Sequence, residues 1–264
     1  MSWLVSLFLG LLQGLTEFLP VSSSGHLNLA QHFLKFTPSL SLDVFLNAAT
    51  LLSVLVFFRG QIKYFIKNIK YIFIATIPAA VVGIFFKNQI SHLFSSIQFL
   101  PFFFLVTSVF LFSTRFAKNK SFLNYKNALI IGLVQALALL PGVSRSGATI
   151  AAALLLGISS IDAFKFSFCL FIPASLGALI LDFPGISSLA FTSPLLISFV
   201  IAFFVGLWAL QILKLVVNKK SFWLFGIYTL LVALLSFMVL QQLFSKTNTQ
   251  LVNIQQIKTT MFQG

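Results

Sequence analysis

Acidic side chains are almost missing from this sequence: Asp and Glu number 4 in 264 residues, and charged residues of both signs make up only 8%. An ordinary soluble domain carries about 25% charged residues, so this composition cannot cover a water-exposed surface. Cysteine occurs once, as Cys169 within an apolar run, which excludes a disulfide framework and a thiolate metal site. The 17 Lys and Arg give a net charge of +13, yet they fall in short clusters between apolar runs and form no continuous basic face. Nucleic acid is therefore not an expected partner. What remains is apolar: 59% of residues are hydrophobic, and the mean hydropathy is +1.04. Such a chain is solvated by lipid. The N-terminal apolar stretch lacks a basic n-region and holds Gln13 and Glu17, so no cleavable signal peptide is expected.

A spanning helix needs about 20 predominantly apolar residues. Six stretches meet that demand, 41–58, 71–87, 97–114, 160–182, 194–214 and 222–243. Two more, 3–33 and 127–157, are apolar but interrupted by Pro, Gly and Ser, and read as re-entrant hairpins of broken helix. The expected fold is an all-α polytopic membrane protein forming a single integral domain over 1–264, with a polar C-terminal tail from 244 to 264. Lys and Arg are retained on the cytoplasmic side. Three clusters, Arg59 to Lys70, Arg115 to Lys126 and Lys214 to Lys220, are therefore placed inside, and the connections around 88–96 and 183–193, which hold neither residue, outside.

On that path the first hairpin enters from outside and the second from the cytoplasm, making the two halves upside-down copies. The sequence supports this independently. Gly10-Leu-Leu-Gln13 and Val21-Ser-Ser-Ser-Gly25 align without a gap on Gly132-Leu-Val-Gln135 and Val143-Ser-Arg-Ser-Gly147, each 122 positions further on. Inverted repeats of about 1–120 and 121–243 would bring two broken helices, and a polar site, together near the midplane.

Polar residues at membrane depth point to function. Gln13 and Glu17, at i and i+4, share one helix face. Pro20 breaks that helix, and Ser22-Ser23-Ser24-Gly25-His26 follows, in which Ser23 and His26 at i and i+3 are placed to face one ligand. Ser and Gly at the start of the next helical piece leave backbone N–H groups free for an anion. The second hairpin supplies Ser144-Arg145-Ser146-Gly147-Ala-Thr149, with one guanidinium among hydroxyls and glycines. Its fork matches phosphate oxygens. Together these residues describe a site for a phosphate ester or diphosphate. The blander alternatives are Ser22 and Ser24 as packing residues, and Arg145 as a stabilising ion-pair partner of Glu17, which would leave the clustered hydroxyls without a purpose. Asp43, Asp162 and Asp182 are placed near span ends, within reach of water.

The stretches Gln13-Gly-Leu-Thr-Glu-Phe-Leu-Pro-Val-Ser-Ser-Ser-Gly-His26 and Pro141-Gly-Val-Ser-Arg-Ser-Gly-Ala-Thr149 resemble the two signature motifs of the bacterial undecaprenyl-diphosphate phosphatases, the bacitracin-resistance family. The resemblance extends over the whole chain in length, hydropathy and motif position. It implies an inner-membrane hydrolase that removes the terminal phosphate of the C55 isoprenoid diphosphate at the periplasmic side. The product is the recycled lipid carrier of peptidoglycan synthesis, and overproduction gives bacitracin resistance. It also implies a divalent cation, Mg or Ca. Carried over by position, Glu17 is the essential acid, Ser23 and His26 the catalytic hydroxyl and imidazole, and Arg145 the phosphate-binding arginine. Ser22, Ser144, Ser146, Gly147 and Thr149 contact substrate, and Glu17 with Gln13 holds the metal. Many family members carry Glu where this chain has Gln13, an amide that offers a cation its oxygen but cannot act as a base.

Ser23 is the expected nucleophile and His26 the proton carrier, with direct attack by a water activated at Glu17 as the alternative. The expected partners are the lipid diphosphate, membrane lipids and, in a homodimer, a second copy of the chain. A lipid-phosphate transporter or flippase using the same inverted-repeat site is the competing function.

Overall fold

The computed structural model describes residues 2–35, 39–118, 121–219 and 221–242, and every regular element among them is helical. In chain order these are α1 (Trp3–Phe18), α2 (Ser23–Phe33), α3 (Leu40–Phe57), α4 (Ile62–Phe85), α5 (Lys87–Phe94), α6 (Leu100–Ser113), α7 (Tyr125–Leu137), α8 (Arg145–Leu155), α9 (Ser160–Leu181), α10 (Phe183–Ser187) and α11 (Ser193–Asn218). A last helical segment, Phe222–Gln242, is α12. The expected tail, 244–264, lies outside the described residues.

Five helical segments are long and apolar enough to cross a bilayer, those containing α3, α4, α9, α11 and α12. Large apolar side chains such as Phe73, Val81, Phe204, Trp208 and Leu235 cover their outer faces. A surface of that kind is stable only against lipid, and the chain is a multi-pass membrane protein. The expected span 97–114 is shorter than foreseen. Pro101 fixes the start of α6, whose 14 residues end at Ser113, giving only about 21 Å of helix. In the opposite sense, α4 begins nine residues before the expected 71, at Ile62. Its first turns carry Lys63, Lys67 and Lys70, whose exposed positions let ammonium groups reach the interface along their own stems.

The two hairpins are each helix, break, helix: α1 to α2 across Leu19–Ser22, and α7 to α8 across Ala138–Ser144. Their first helices are docked crosswise. α1 lies along α11, and α7 along α4. Both contacts depend on glycine. A Cβ at Gly10 would come within 2.5 Å of the Ser198 carbonyl oxygen, and one at Gly132 within 2.5 Å of that of Ala75. In lipid, where apolar burial gives helices little reason to associate, such close approach and interhelical hydrogen bonds supply the attraction. Ser53 on α3 donates to the Phe203 carbonyl on α11 at 2.8 Å, and Thr107 on α6 to the Gly142 carbonyl at 2.9 Å. The core beneath the hairpins is aromatic, with Phe18 of α1 edge-on to Phe168 of α9 at 5.6 Å.

Candidate active site

The site forms where the two breaks meet. α1 ends at Phe18, and Pro20 and Val21 turn the chain into Ser22, which caps α2 by accepting a hydrogen bond from the Gly25 amide. Ser22 has φ of +70°, uncommon for a residue with a Cβ. The second break uses Gly142 at φ +101°, and Ser144 caps α8 through the Gly147 amide at 3.1 Å. The breaks touch reciprocally. A Cβ on Gly25 would lie 2.9 Å from Gly142 Cα, and one on Gly147 would lie 3.2 Å from Pro20 Cβ. Gly25 and Gly147, like Pro20 and Gly142, are 122 positions apart. Each break therefore contacts in the other the position that the other contacts in it.

This joint sets the first turns of α2 and α8, with their unpaired amides and positive dipole ends, beside one cavity. Ser23 opens α2 and Arg145 opens α8; they too are 122 positions apart. The two helix starts thus carry a hydroxyl at one break and a guanidinium at the other.

Glu17 stands between them. Its Oε1 accepts from Arg145 Nη2 and from Asn47 Nδ2 at 3.1 Å. Its Oε2 accepts from Ser23 Oγ and from Gln13 Nε2 at 3.1 Å. Gln13 Nε2 also lies 3.4 Å from Thr50 Oγ1. Arg145 is further held by Ser175 Oγ, 3.3 Å from Nη1, and by the Phe171 ring, whose centroid is 3.7 Å from Cζ. Four donors on one buried carboxylate satisfy a charge that would otherwise be costly at this depth. The cavity they border has a volume of about 420 Å³.

Gln13, Glu17, Ser23 and Arg145 are thus brought together, with Ser22 and Ser144 on the same cavity wall. His26 is not among them. Its Nδ1 is 2.7 Å from the Ser22 carbonyl, its Nε2 is 2.8 Å from the Tyr228 hydroxyl, and its ring is stacked on Tyr228 of α12. Ser23 and His26, expected to face one ligand, are thus not brought together here: Ser23 is bonded to Glu17, whereas both ring nitrogens of His26 are engaged by Ser22 and Tyr228. Ser146, Gly147 and Thr149 also lie off the cavity wall. Ser146 donates to the Phe18 carbonyl at 3.1 Å, the Gly147 amide serves the Ser144 cap, and Thr149 bonds the Arg145 carbonyl and Ser167 Oγ at 2.7 and 2.6 Å. They hold α8 in place, and Arg145 with it.

The wall formed by α3 went unforeseen. Asp43, Asn47 and Thr50, spaced at i, i+4 and i+7, form a polar stripe: Asn47 and Thr50 meet Glu17 and Gln13 of α1, and Asp43 borders the cavity beside Gln31 of α2. That spacing within an apolar run was the available signal. Asp43 corrects a second expectation. It is buried, with Oδ1 accepting from Gln31 Nε2 at 2.9 Å and Oδ2 without a partner, and does not reach water as a span-end carboxylate would.

The fold and site define a class: a multi-pass helical membrane protein whose carboxylate, hydroxyl and guanidinium meet at two broken helices, a constellation for an anionic ligand. The family model described as "Bacitracin resistance protein BacA" matches residues 6–235, and the chain belongs to that family. It is similar to the undecaprenyl-diphosphatase of Thermosipho africanus, 42% identical over 245 residues that cover 88% of this chain and 98% of the relative. The undecaprenyl-diphosphatase of Thermotoga maritima is 39% identical over 89% of this chain and 99% of its own. Undecaprenyl-diphosphatase 1 of Bacillus cereus is 42% identical over 75% and 81%.

Proposed function

We propose that this chain hydrolyses undecaprenyl diphosphate to undecaprenyl phosphate and inorganic phosphate, acting from the periplasmic side of the bacterial inner membrane. Recycling of the lipid carrier and bacitracin resistance follow from that reaction. The observation that carries the reading is the single carboxylate, Glu17, joined both to the Ser23 hydroxyl and to the Arg145 guanidinium. It is a nucleophile with its base in contact, beside a phosphate-binding cation.

In the reaction, the terminal phosphate displaces Glu17 as the partner of Arg145, whose fork spans two of its oxygens. Ser23 Oγ attacks phosphorus and its proton passes to Glu17. The bond to the bridging oxygen breaks, and undecaprenyl phosphate leaves with the electron pair. Arg145 and the amides opening α2 and α8 offset the charge on the transferring group. After Glu17 has released its proton to water, it takes one from a water that attacks the phosphoserine; the bond from phosphorus to Ser23 Oγ breaks, that oxygen regains a proton from Glu17, and inorganic phosphate leaves. His26 is a positioning residue: its bond to the Ser22 carbonyl fixes the turn from which Ser23 projects. Rapid acid quench with terminally labelled substrate is expected to trap phosphoserine at position 23. A phosphohistidine, or oxygen-isotope exchange showing direct hydrolysis, would overturn that assignment.

A divalent cation, Mg or Ca, suits the donors at the carboxylate end. Asp43 Oδ2 is buried without a partner, and the Gln13 amide nitrogen is engaged by Glu17 and Thr50, leaving its carbonyl oxygen as a donor. No cluster of three His, Cys, Asp or Glu occurs among the described residues. That is compatible with Mg, which keeps several waters and shares substrate phosphate oxygens. Asp43, Glu17 and Gln13 would hold it, and the cation would neutralise diphosphate charge. Asp43→Asn is accordingly expected to raise the Mg concentration for half-maximal rate by about tenfold. An unchanged Mg titration would remove Asp43 from the set.

The topology that fits is six spans and two re-entrant hairpins, with the second half inverted. The reciprocal contact of Gly25 with Gly142 and Gly147 with Pro20 is what a two-fold relation between the halves produces.

A further inference from the structure

Away from Arg145 the cavity continues as a slot between α4 and α9, walled by small residues. α4 presents Ala79 and Gly83, and α9 presents Ala174, Gly177 and Ala178, each set on one helix face. These glycines differ from those under α1 and α7. A Cβ at Gly177 would meet nothing within 4 Å, and one at Gly83 only the ends of Leu139 and Leu181, both at 3.9 Å. Packing therefore does not require glycine at either position, and the missing side chains leave open space. Ile84 and Ile180 border the same cavity and are 58% and 75% exposed. On helices of this kind an exposed isoleucine faces lipid, so the slot's rim lies at the bilayer and its inner end at Arg145 and Ser175.

We infer that this slot is the subsite for the first isoprene units of the lipid chain, a point that rests on the diphosphatase reading and extends it to how the tail is recognised. The slot gives the branched, apolar chain a continuous path from lipid to the buried polar end; its small-residue faces carry no polar side chain, and the charged residues that border the cavity, Lys87 and Asp182, lie just beyond the ends of α4 and α9. A cavity of about 420 Å³ falls in the range that holds a drug-sized ligand, about 300–1,000 Å³. It takes the diphosphate and the start of the tail, and the remainder of a C55 chain stays in the bilayer. Small residues at 83 and 177 thereby set the width of chain admitted.

The test is equilibrium binding to purified full-length protein in detergent, in the Glu17→Gln background that binds with little turnover, with undecaprenyl diphosphate and, separately, inorganic diphosphate as probes. Gly177→Ala, Gly177→Val, Gly177→Leu and Gly83→Leu are compared with that parent. The lipid dissociation constant is expected to rise with side-chain size, reaching about tenfold or more at Gly177→Leu, while inorganic diphosphate binds within about twofold of the parent. Lipid affinity unchanged across the series overturns the slot assignment, as does an equal loss for both probes. The mild Gly177→Ala and Gly177→Val steps keep the series readable if leucine impairs folding. The readout is independent of turnover. Wild-type binding without phosphate release would remove the phosphatase reading and leave the slot standing.

Discussion

Glu17→Gln is expected to lower kcat by about 10³-fold, the scale of a lost general base, while undecaprenyl diphosphate still binds. The amide has nearly the same shape as the carboxylate, so Asn47, Thr50 and the helices around them keep their places. What goes is the charge that accepts the Ser23 proton and that holds Arg145 before substrate arrives. Because the lost interaction operates in the transition state, the fall belongs in kcat more than in KM. Initial rates of phosphate release over a range of lipid concentrations give both constants. A variant retaining kcat within tenfold of wild type would show that Glu17 is not the base.

Arg145→Ala is expected to remove about 10³-fold or more in turnover, as loss of a transition-state arginine does in phosphoryl transfer. Arg145→Lys restores only part of it, since an ammonium supplies charge without the planar fork. The alanine variant also leaves the Glu17 carboxylate buried without its cation, which costs roughly 3–5 kcal/mol in stability. Glu17→Gln combined with Arg145→Ala removes that penalty and is expected to melt above Arg145→Ala alone while remaining inactive. Thermal unfolding in detergent beside the rate assay separates the two effects. Recovery of turnover in the double variant would show that the pair is only a structural ion pair.

Much of this site was legible in the sequence because it is local. The interval from Gln13 to Glu17 fixes one helix face, Pro20 and the serines fix the break, and the 122-residue offset leads from Ser23 to Arg145 without any coordinates. Long spans were legible for the same reason: lipid solvation imposes length and apolarity on each segment by itself. What escaped depends on which helix lies beside which. Asp43, Asn47 and Thr50 reach the site only because α3 packs against α1 and α11, and in isolation they resemble ordinary polar residues of a membrane helix. His26 has the right spacing from Ser23, but Tyr228, over 200 residues away, captures its Nε2. No periodicity in either segment reports that contact. The slot was illegible for a subtler reason. Gly83 and Gly132 look alike in sequence, and only the neighbour distances separate a glycine that closes a helix contact from one that leaves a space.

The most direct measurement is phosphate release by the purified protein from undecaprenyl diphosphate in detergent, with Mg or Ca present and no bilayer to cross. Hydrolysis and transport diverge there, since micelles offer nothing to transport across. The expected result is multiple turnover by wild type, releasing one inorganic phosphate for each undecaprenyl phosphate formed, and near-complete loss in Glu17→Gln. Tight binding of the lipid diphosphate by wild type without any release of phosphate would contradict it, and would point to a transporter built on the same two broken helices.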